Sequence, residues 1–136
     1  MKIIDLFCGI GGLSLGFEQA GFKTIAAVDM WKDAVTTFNH NRHNKVGMTI
    51  SVEDFNEKIL PDLLKKHKIT GIIGGPPCQG FSMANRQRLI DDPRNYLYKS
   101  YVEVVEKVRP KFFVMENVKG ILSVAEQVKE DFRNIG

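Results

Sequence analysis

Apolar runs alternate with segments of helical period along the chain. Apolar residues three or four positions apart predict helices at residues 13–20, 34–40, 60–67 and 96–108, with a last helix marked by Leu122, Ala125, Val128 and Phe132. Short apolar runs between them predict strands at residues 2–7, 24–28, 47–51, 71–74 and 111–115. This alternation predicts an α/β fold: a doubly wound (Rossmann-like) parallel sheet with helices on both faces.

Glycines and an acid follow the first two predicted strands. The stretch DLFCGIGG joins the first strand to the first helix, and its Gly9, Gly11 and Gly12 let the backbone approach a ligand closely. Asp29 ends the second strand about 20 residues beyond the first glycine, where a carboxylate can accept hydrogen bonds from both ribose hydroxyls of an adenosine. The pattern predicts an adenosine-containing cofactor, either a nicotinamide dinucleotide or S-adenosylmethionine.

A second unusual motif, GGPPCQGFS, follows the fourth strand. The two prolines fix their own φ and stiffen the approach to Cys78, which we predict to lie on a loop as a positioned reagent. A doubly wound order puts the fourth strand beside the first, and Glu116 ends the fifth. A thiol and a carboxyl facing one crevice predict a nucleophile and a proton donor.

The segment 80–95 is the one long irregular stretch. Its Arg86, Arg88 and Arg94 are suited to phosphate contacts, so we interpret it as a lid, with a solvated loop as the alternative. The two histidines one helical turn apart, His40 and His43, have no third ligand nearby, and we predict no metal site.

Composition narrows the class of protein. The chain has 136 residues, 43% hydrophobic and 26% charged, which predicts one soluble globular domain. We find no membrane-spanning run and no signal peptide, and we expect a cytoplasmic protein in which Cys8 and Cys78 stay reduced and unpaired. The net charge of +3 permits nucleic-acid binding without requiring it.

The stretches DLFCGIGGLSLGFEQAGF, GGPPCQGFS and ENVKG, in this order, resemble the cytosine-C5 DNA methyltransferases, particularly the bacterial modification enzymes of restriction–modification systems. The resemblance runs over the whole chain. It implies transfer of a methyl group from S-adenosylmethionine to C5 of a cytosine flipped out of double-stranded DNA, leaving S-adenosylhomocysteine. In this chemistry Cys78 adds to C6 of the base, while Glu116 protonates or hydrogen-bonds N3.

The resemblance also implies the cofactor contacts. Phe7 and the glycines at 9, 11 and 12 would surround the amino-acid moiety, and Asp29 would bind the ribose. Leu97 would pack on the adenine together with Met30, which stands where the family often has an aromatic residue. Two alternatives stay open for the adenine amino group: the strand register points to Ser51 and Val52, and residue type points to Asp54. The residues expected at the base or in the lid are Pro77, Gln79, Ser82, Asn117 and the three arginines of residues 80–95.

Family members continue beyond the region that this chain resembles, into an arginine-containing base contact, a target-recognition domain and a helix that closes the cofactor pocket. We therefore expect residues 1–136 to be the amino-terminal part of a catalytic domain, with the target-recognition domain absent and the isolated chain inactive. A second polypeptide carrying the missing half, or self-association, would be its partner, and no membrane is involved.

Two other functions remain compatible with the motifs: cytosine-C5 methylation of transfer RNA, and a non-catalytic remnant that binds cofactor or a partner. Nicotinamide oxidoreduction is disfavoured because it does not need Pro-Pro-Cys with Glu-Asn-Val.

Overall fold

Five strands form one parallel sheet in the computed structural model, which describes residues 1–77 and 96–136. The strand order is β3-β2-β1-β4-β5, and every neighbouring pair is parallel. The predicted doubly wound α/β fold is confirmed. The strands are β1 (Lys2–Leu6), β2 (Lys23–Asp29), β3 (Gly47–Thr49), β4 (Gly71–Gly74) and β5 (Phe112–Met115).

Helices follow each of the five strands, and those between strands form the crossovers that a parallel sheet requires. In the described ranges they are α1 (Gly12–Gln19), α2 (Lys32–His40), α3 (Val52–Asp54), α4 (Leu60–Lys66), α5 (Tyr96–Val108) and α6 (Ala125–Asn134). A π-helical segment (Phe55–Ile59) joins α3 to α4, and a 3-10 helix (Lys119–Val124) precedes α6.

The sheet is covered on both faces because successive side chains of each strand point in opposite directions. On one face, Ile4 and Leu6 of β1 belong to a buried cluster that includes Phe55 of the π-helical segment and Tyr101 of α5. A smaller cluster contains Ala27 of β2, Phe38 of α2 and Cys8. Helices on both faces were expected from the alternation of elements.

The third strand and the helix after it differ from the prediction. The strand ends at Thr49 instead of residue 51, and helical structure begins at Val52 instead of residue 60. Ser51 ends the extended segment because its Oγ accepts a hydrogen bond from the Asp54 N–H at 3.0 Å, which caps the helix. The predicted helix at residues 60–67 corresponds to α4 (Leu60–Lys66), and α3 and the π-helical segment extend the helical structure eight residues before it.

The carboxyl ends of the four longer strands are aligned. Leu6 of β1 lies opposite both Val28 of β2 and Gly74 of β4, and Gly74 in turn lies opposite Met115 of β5. The chain passes from the β3 edge to β4 across β1, so the switch point lies between β1 and β4. Segments that follow these strands therefore emerge at one edge, beside the position where such sheets bind ligands.

One carboxylate is buried within the sheet. Asp5 of β1 is 1% exposed, and its Oδ2 has no hydrogen-bond partner among the described residues. Burial raises the pKa of Asp5 to about 7, although Ser14 of α1 and the Arg42 guanidinium favour the ionised form and offset part of that effect; Glu18 acts in the same direction as burial. Asp5 therefore titrates near neutral pH in the folded protein.

We predict that Asp5→Asn removes a pH dependence of stability. The pKa of the carboxyl rises from 3.8 to about 7 on folding, so the folded state binds the proton more tightly and ionisation disfavours it. Wild-type stability should fall as pH rises from about 4 to about 7, by a few kcal/mol relative to Asp5→Asn. Urea unfolding at pH 5 and pH 8 measures this difference.

The matched control is Asp33→Asn, because Asp33 is exposed in the first turn of α2. It should keep the wild-type dependence on pH. Equal pH slopes for wild type and Asp5→Asn would contradict the assignment of the titration to Asp5.

Candidate functional site

The turn between β1 and α1 has an unusual backbone. Phe7, Gly9 and Gly11 all have positive φ, at 58°, 52° and 88°. For Phe7 this conformation is rare, because Cβ crowds the backbone in the left-handed region. The Cys8 N–H donates to the Val28 carbonyl at 3.0 Å, and the Gly11 N–H donates to the Cys8 carbonyl at 2.8 Å. The turn is therefore folded tightly against the end of β2.

Gly11 could not carry a side chain here. A Cβ on this residue would lie 2.5 Å from the Phe38 ring and 2.6 Å from Nη2 of Arg42. Both contacts are far shorter than normal van der Waals separations, and φ is in the region that favours glycine. The sequence analysis assigned Gly11 to the close approach of a ligand. The structure gives a further reason for a glycine at this position, because Phe38 of α2 and Arg42 leave no space for a side chain.

Asp29 is joined directly to the glycine turn. Its Oδ2 accepts a hydrogen bond from the Gly9 N–H at 2.9 Å, and its Oδ1 accepts one from the Trp31 N–H at 2.9 Å. An ionised carboxylate has about four acceptor sites, so each oxygen keeps capacity for a further donor. The structure brings together the two features that the sequence assigned to an adenosine-containing cofactor.

Large apolar side chains lie exposed next to Asp29. Met30 is 70% exposed and Trp31 66%, and Ile10 of the glycine turn is 61% exposed. Exposed apolar groups beside a hydrogen-bonding carboxylate are suited to a ligand with one flat apolar part and one polar part. Packing of Met30 on adenine stays a prediction.

The remaining predicted cofactor residues occupy different environments. Val52 is 2% exposed and packs in the core, whereas Asp54 is partly exposed and forms an ion pair with Lys58 at 2.8 Å. The hydrogen bond and charge of Lys58 lower the pKa of Asp54. Ser51 uses its hydroxyl oxygen to cap α3, and Leu97 is half-buried in the first turn of α5. Their roles toward adenine stay predictions.

Glu116 lies beside the backbone that leads to Cys78. Its N–H donates to the Gly74 carbonyl at 2.9 Å, continuing the ladder between β4 and β5. A Cβ on Gly75 would lie 2.9 Å from Oε2 of Glu116, so the carboxyl group sits directly against this glycine. The sequence analysis predicted that the segments after β4 and β5 face one crevice. In the described residues, Glu116 after β5 contacts Gly75 after β4.

Asn117 ties the two segments together. Its Nδ2 donates to the Pro76 carbonyl at 3.0 Å, and its Oδ1 accepts from the Val118 N–H at 2.7 Å. Sequence reasoning assigned Asn117 to the base or lid and did not anticipate this link, because the two residues are 41 positions apart. Pro77 is exposed at the end of the described segment.

Several predicted residues lie outside the described residues. They are Cys78, Gln79, Ser82, Arg86, Arg88 and Arg94, together with the rest of the expected lid at 80–95.

Cys8 contrasts with the assignment made for Cys78. Cys8 is 7% exposed and packs with Ala27 and Phe38. Burial raises the pKa of its thiol, and the nearby carboxylates Asp5 and Asp29 raise it further. Because the thiolate is the reactive form, Cys8 is a poor nucleophile and serves as part of the core.

Within residues 1–77 and 96–136, no three His, Cys, Asp or Glu side chains come together as metal ligands. No helix in the same ranges is long and apolar enough to cross a membrane.

Sequence reasoning missed one residue next to the site. Arg42, just after α2, donates from Nη2 to the Gly11 carbonyl at 2.7 Å. The two residues are 31 positions apart, and neither periodicity nor motif spacing indicates the contact.

Comparison with known proteins agrees with this geometry. A family model for C-5 cytosine-specific DNA methylase matches residues 1–136. Type II methyltransferase M.AgeI of Thalassovita gelatinovora is 47% identical over 127 residues, covering 92% of this chain and 29% of that protein. Type II methyltransferase M.DdeI of Desulfomicrobium norvegicum is 44% identical over 148 residues, covering 100% of this chain and 34% of that protein. The chain thus spans about a third of the length of these relatives.

Solved structures share the fold over nearly the whole chain. A protein described as a DNA modification methyltransferase encoded within a prophage (E. coli) has a TM-score of 0.82 and 38% identity, covering 99% of this chain and 37% of that chain. A mutant of Spodoptera frugiperda DNMT2 has a TM-score of 0.72 and 26% identity, covering 98% and 41%. Because the family model matches from the first residue to the last, the chain belongs to the C-5 cytosine-specific DNA methylase family.

Proposed function

We propose that this chain is the amino-terminal catalytic portion of a DNA (cytosine-5)-methyltransferase of the restriction–modification type. The observation that carries the proposal is the shared edge of the sheet. The glycine turn bonded to Asp29 lies there, and so does Glu116, which sits against the approach to Cys78. Family membership and the type II methyltransferases among its relatives support the same activity.

The residues of the turn fit S-adenosylmethionine as the cofactor. Asp29 keeps acceptor capacity for ribose hydroxyls after binding Gly9 and Trp31, and exposed Met30 offers an apolar surface for adenine. Phe7 and the turn at residues 9–12 would hold the amino-acid end. When bound, S-adenosylmethionine supplies an electrophilic methyl group.

The chain's own residues account for the activation of cytosine. In the proposed mechanism the Cys78 thiolate adds to C6 of the flipped base, and the carboxyl of Glu116 holds a proton at N3 so that the ring accepts this addition. The addition makes C5 nucleophilic enough to take the methyl group. The C5 proton then passes to solvent and the N3 proton returns to the Glu116 carboxylate, so that the Cys78 thiolate leaves C6 and the methylated base is released. Asn117 fixes the backbone at Pro76, two residues before the nucleophile.

The substrate and partners belong to the same proposal. Double-stranded DNA with a flipped cytosine is the substrate, contacted by residues 80–95 as a lid. The partner is a polypeptide carrying the rest of the catalytic domain and the target-recognition domain, or a second copy, in a cytoplasmic setting. β5 at the sheet edge supports a polypeptide partner, because Phe113 and Val114 are 40% and 39% exposed there.

We predict that Cys78 forms the covalent bond to the base. In a completed enzyme, with the chain joined to the downstream part of M.AgeI, DNA containing 5-fluorocytosine should become covalently attached, because fluorine at C5 cannot leave as a proton. Cys78→Ala should abolish the adduct. Cys8→Ala is the matched control and should retain it, because the Cys8 thiol is buried and protonated. Gel electrophoresis in denaturant measures the adduct, and one that survives Cys78→Ala would overturn the assignment.

We predict that Asp29 recognises the ribose. Asp29→Asn keeps the shape of the side chain but loses the charge and one acceptor oxygen, and a hydrogen bond to a charged group contributes about 1.5–3 kcal/mol. Binding of S-adenosylhomocysteine should weaken at least tenfold by calorimetry. The 2′-deoxy analogue of this ligand should lose much less affinity. Equal losses for both ligands, or wild-type affinity for NAD equal to that for S-adenosylhomocysteine, would contradict ribose recognition in this cofactor.

We predict that the isolated chain does not transfer methyl groups. Catalysis needs the base held within about an ångström of the reacting groups, and family members hold it with parts beyond this region. Tritiated methyl transfer to duplex DNA should be absent for the chain alone and should appear when it is mixed with the downstream part of M.AgeI.

Transfer RNA offered as the substrate in the same assay tests the alternative function, which is cytosine-C5 methylation of transfer RNA and not of DNA. Val114→Lys should weaken the reconstituted activity more than Leu15→Lys, since Leu15 is more exposed (49% against 39%) but lies on α1 and not on the edge strand. Robust turnover by the isolated chain would contradict the need for a partner.

A further inference from the structure

Arg42 is buried behind the glycine turn although its side chain carries a permanent charge. Its side chain is 9% exposed and its guanidinium stacks 3.8 Å from the centre of the Phe38 ring. Nη2 donates to the Gly11 carbonyl at 2.7 Å and to Ser14 Oγ at 3.3 Å, and Nε donates to Glu18 Oε2 at 3.2 Å. Buried charges are retained in proteins when such bonds satisfy them.

The shortest hydrogen bond of Arg42 is to the Gly11 carbonyl in the turn and not to the Glu18 carboxylate. An Arg–Glu pair alone would be an ordinary partly exposed ion pair, and Glu18 keeps 27% of its side chain exposed. The Gly11 carbonyl, in contrast, is a main-chain acceptor in a residue with φ of 88°. A charged donor shortens and strengthens the bond to such an acceptor.

Further hydrogen bonds connect Gly11 to the rest of the turn and to Asp29. The Gly11 N–H donates to the Cys8 carbonyl at 2.8 Å, and the next residue, Gly9, donates from its N–H to Asp29 at 2.9 Å. Arg42 and the Phe38 ring together fill the space that a side chain on Gly11 would take. Arg42 and Phe38 therefore pack against the turn at Gly11, whereas Ile10 of the same turn is 61% exposed.

We propose that Arg42 is a positioning residue that holds the Gly11 carbonyl, and with it residues 9–12, in the geometry that receives the amino-acid end of S-adenosylmethionine. This inference rests on the proposed function of the turn. Glycines lose more conformational freedom on ordering than other residues, so a turn that is already fixed binds its ligand without that loss. A lysine could not replace Arg42 fully, because the donors of one ammonium do not reproduce the planar fork of a guanidinium.

The ligand-free protein provides the first test. Arg42→Met keeps an apolar stem against Phe38 and removes every donor. Amide hydrogen exchange of Gly9 and Gly11 should become at least tenfold faster, while Ile4 and Ile72 in the central strands exchange as in wild type. Glu18→Gln, which removes the acid but leaves the Gly11 contact, and exposed Arg133→Met are the matched controls and should change the turn less than twofold. Unchanged exchange at Gly9 and Gly11 in Arg42→Met would overturn the proposal.

Ligand binding provides the second test and separates positioning from a general loss of structure. S-adenosylhomocysteine has the amino-acid end, whereas methylthioadenosine has the same nucleoside without it. Arg42→Met should weaken S-adenosylhomocysteine at least tenfold and methylthioadenosine less than twofold, with Arg42→Lys giving partial rescue. Equal weakening of both ligands, or of neither, would overturn the role of Arg42. Wild-type protein that binds neither ligand would instead count against the proposed function of the turn itself.

Discussion

The parallel pairing of β1 with β2 on one side and β4 on the other is the constraint on which the site depends. Leu6 faces Val28 and Gly74 in register, so the three strands end at the same height. The segments that follow these strands therefore lie next to one another at that edge of the sheet. The bond between the Gly9 N–H and Asp29, 20 positions away in sequence, is a direct result of this alignment.

Strain and buried polarity concentrate behind the glycine turn. Phe7 has a φ of 58°, Asp5 is 1% exposed, and Arg42 is nearly as buried as its apolar neighbours. Each of these features disfavours folding when taken alone. Together they compensate one another in part, because Arg42 attracts the Asp5 carboxylate and binds the Gly11 carbonyl. Such local conflicts are expected where a fold is shaped for binding and not only for stability.

At the ends of β4 and β5, side chains that follow β5 contact the backbone that follows β4. Gly75 leaves room for the Glu116 carboxyl, and Asn117 bonds to the Pro76 carbonyl. Stiff prolines and an amide tether fix the direction in which the chain proceeds toward residue 78. The two cysteines of the chain illustrate how position decides reactivity. Cys8 faces the core, where burial keeps its thiol protonated, whereas the Pro-Pro sequence predicts that Cys78 lies on a loop.

The sequence by itself determined the order of strands and helices, the positions of the two motif-bearing turns and the family. These features follow from local periodicity, from proline and glycine, and from short motifs, so β4 and α5 have the predicted bounds. It misplaced the start of the helix after β3, where the Ser51 cap begins helical structure at Val52, before the apolar spacing that predicted a helix from residue 60. Only the tertiary structure decided the contacts of Arg42 with Gly11 and of Asn117 with Pro76. Those partners lie 31 and 41 positions apart, and they meet because sheet register, which no local pattern encodes, brings them together.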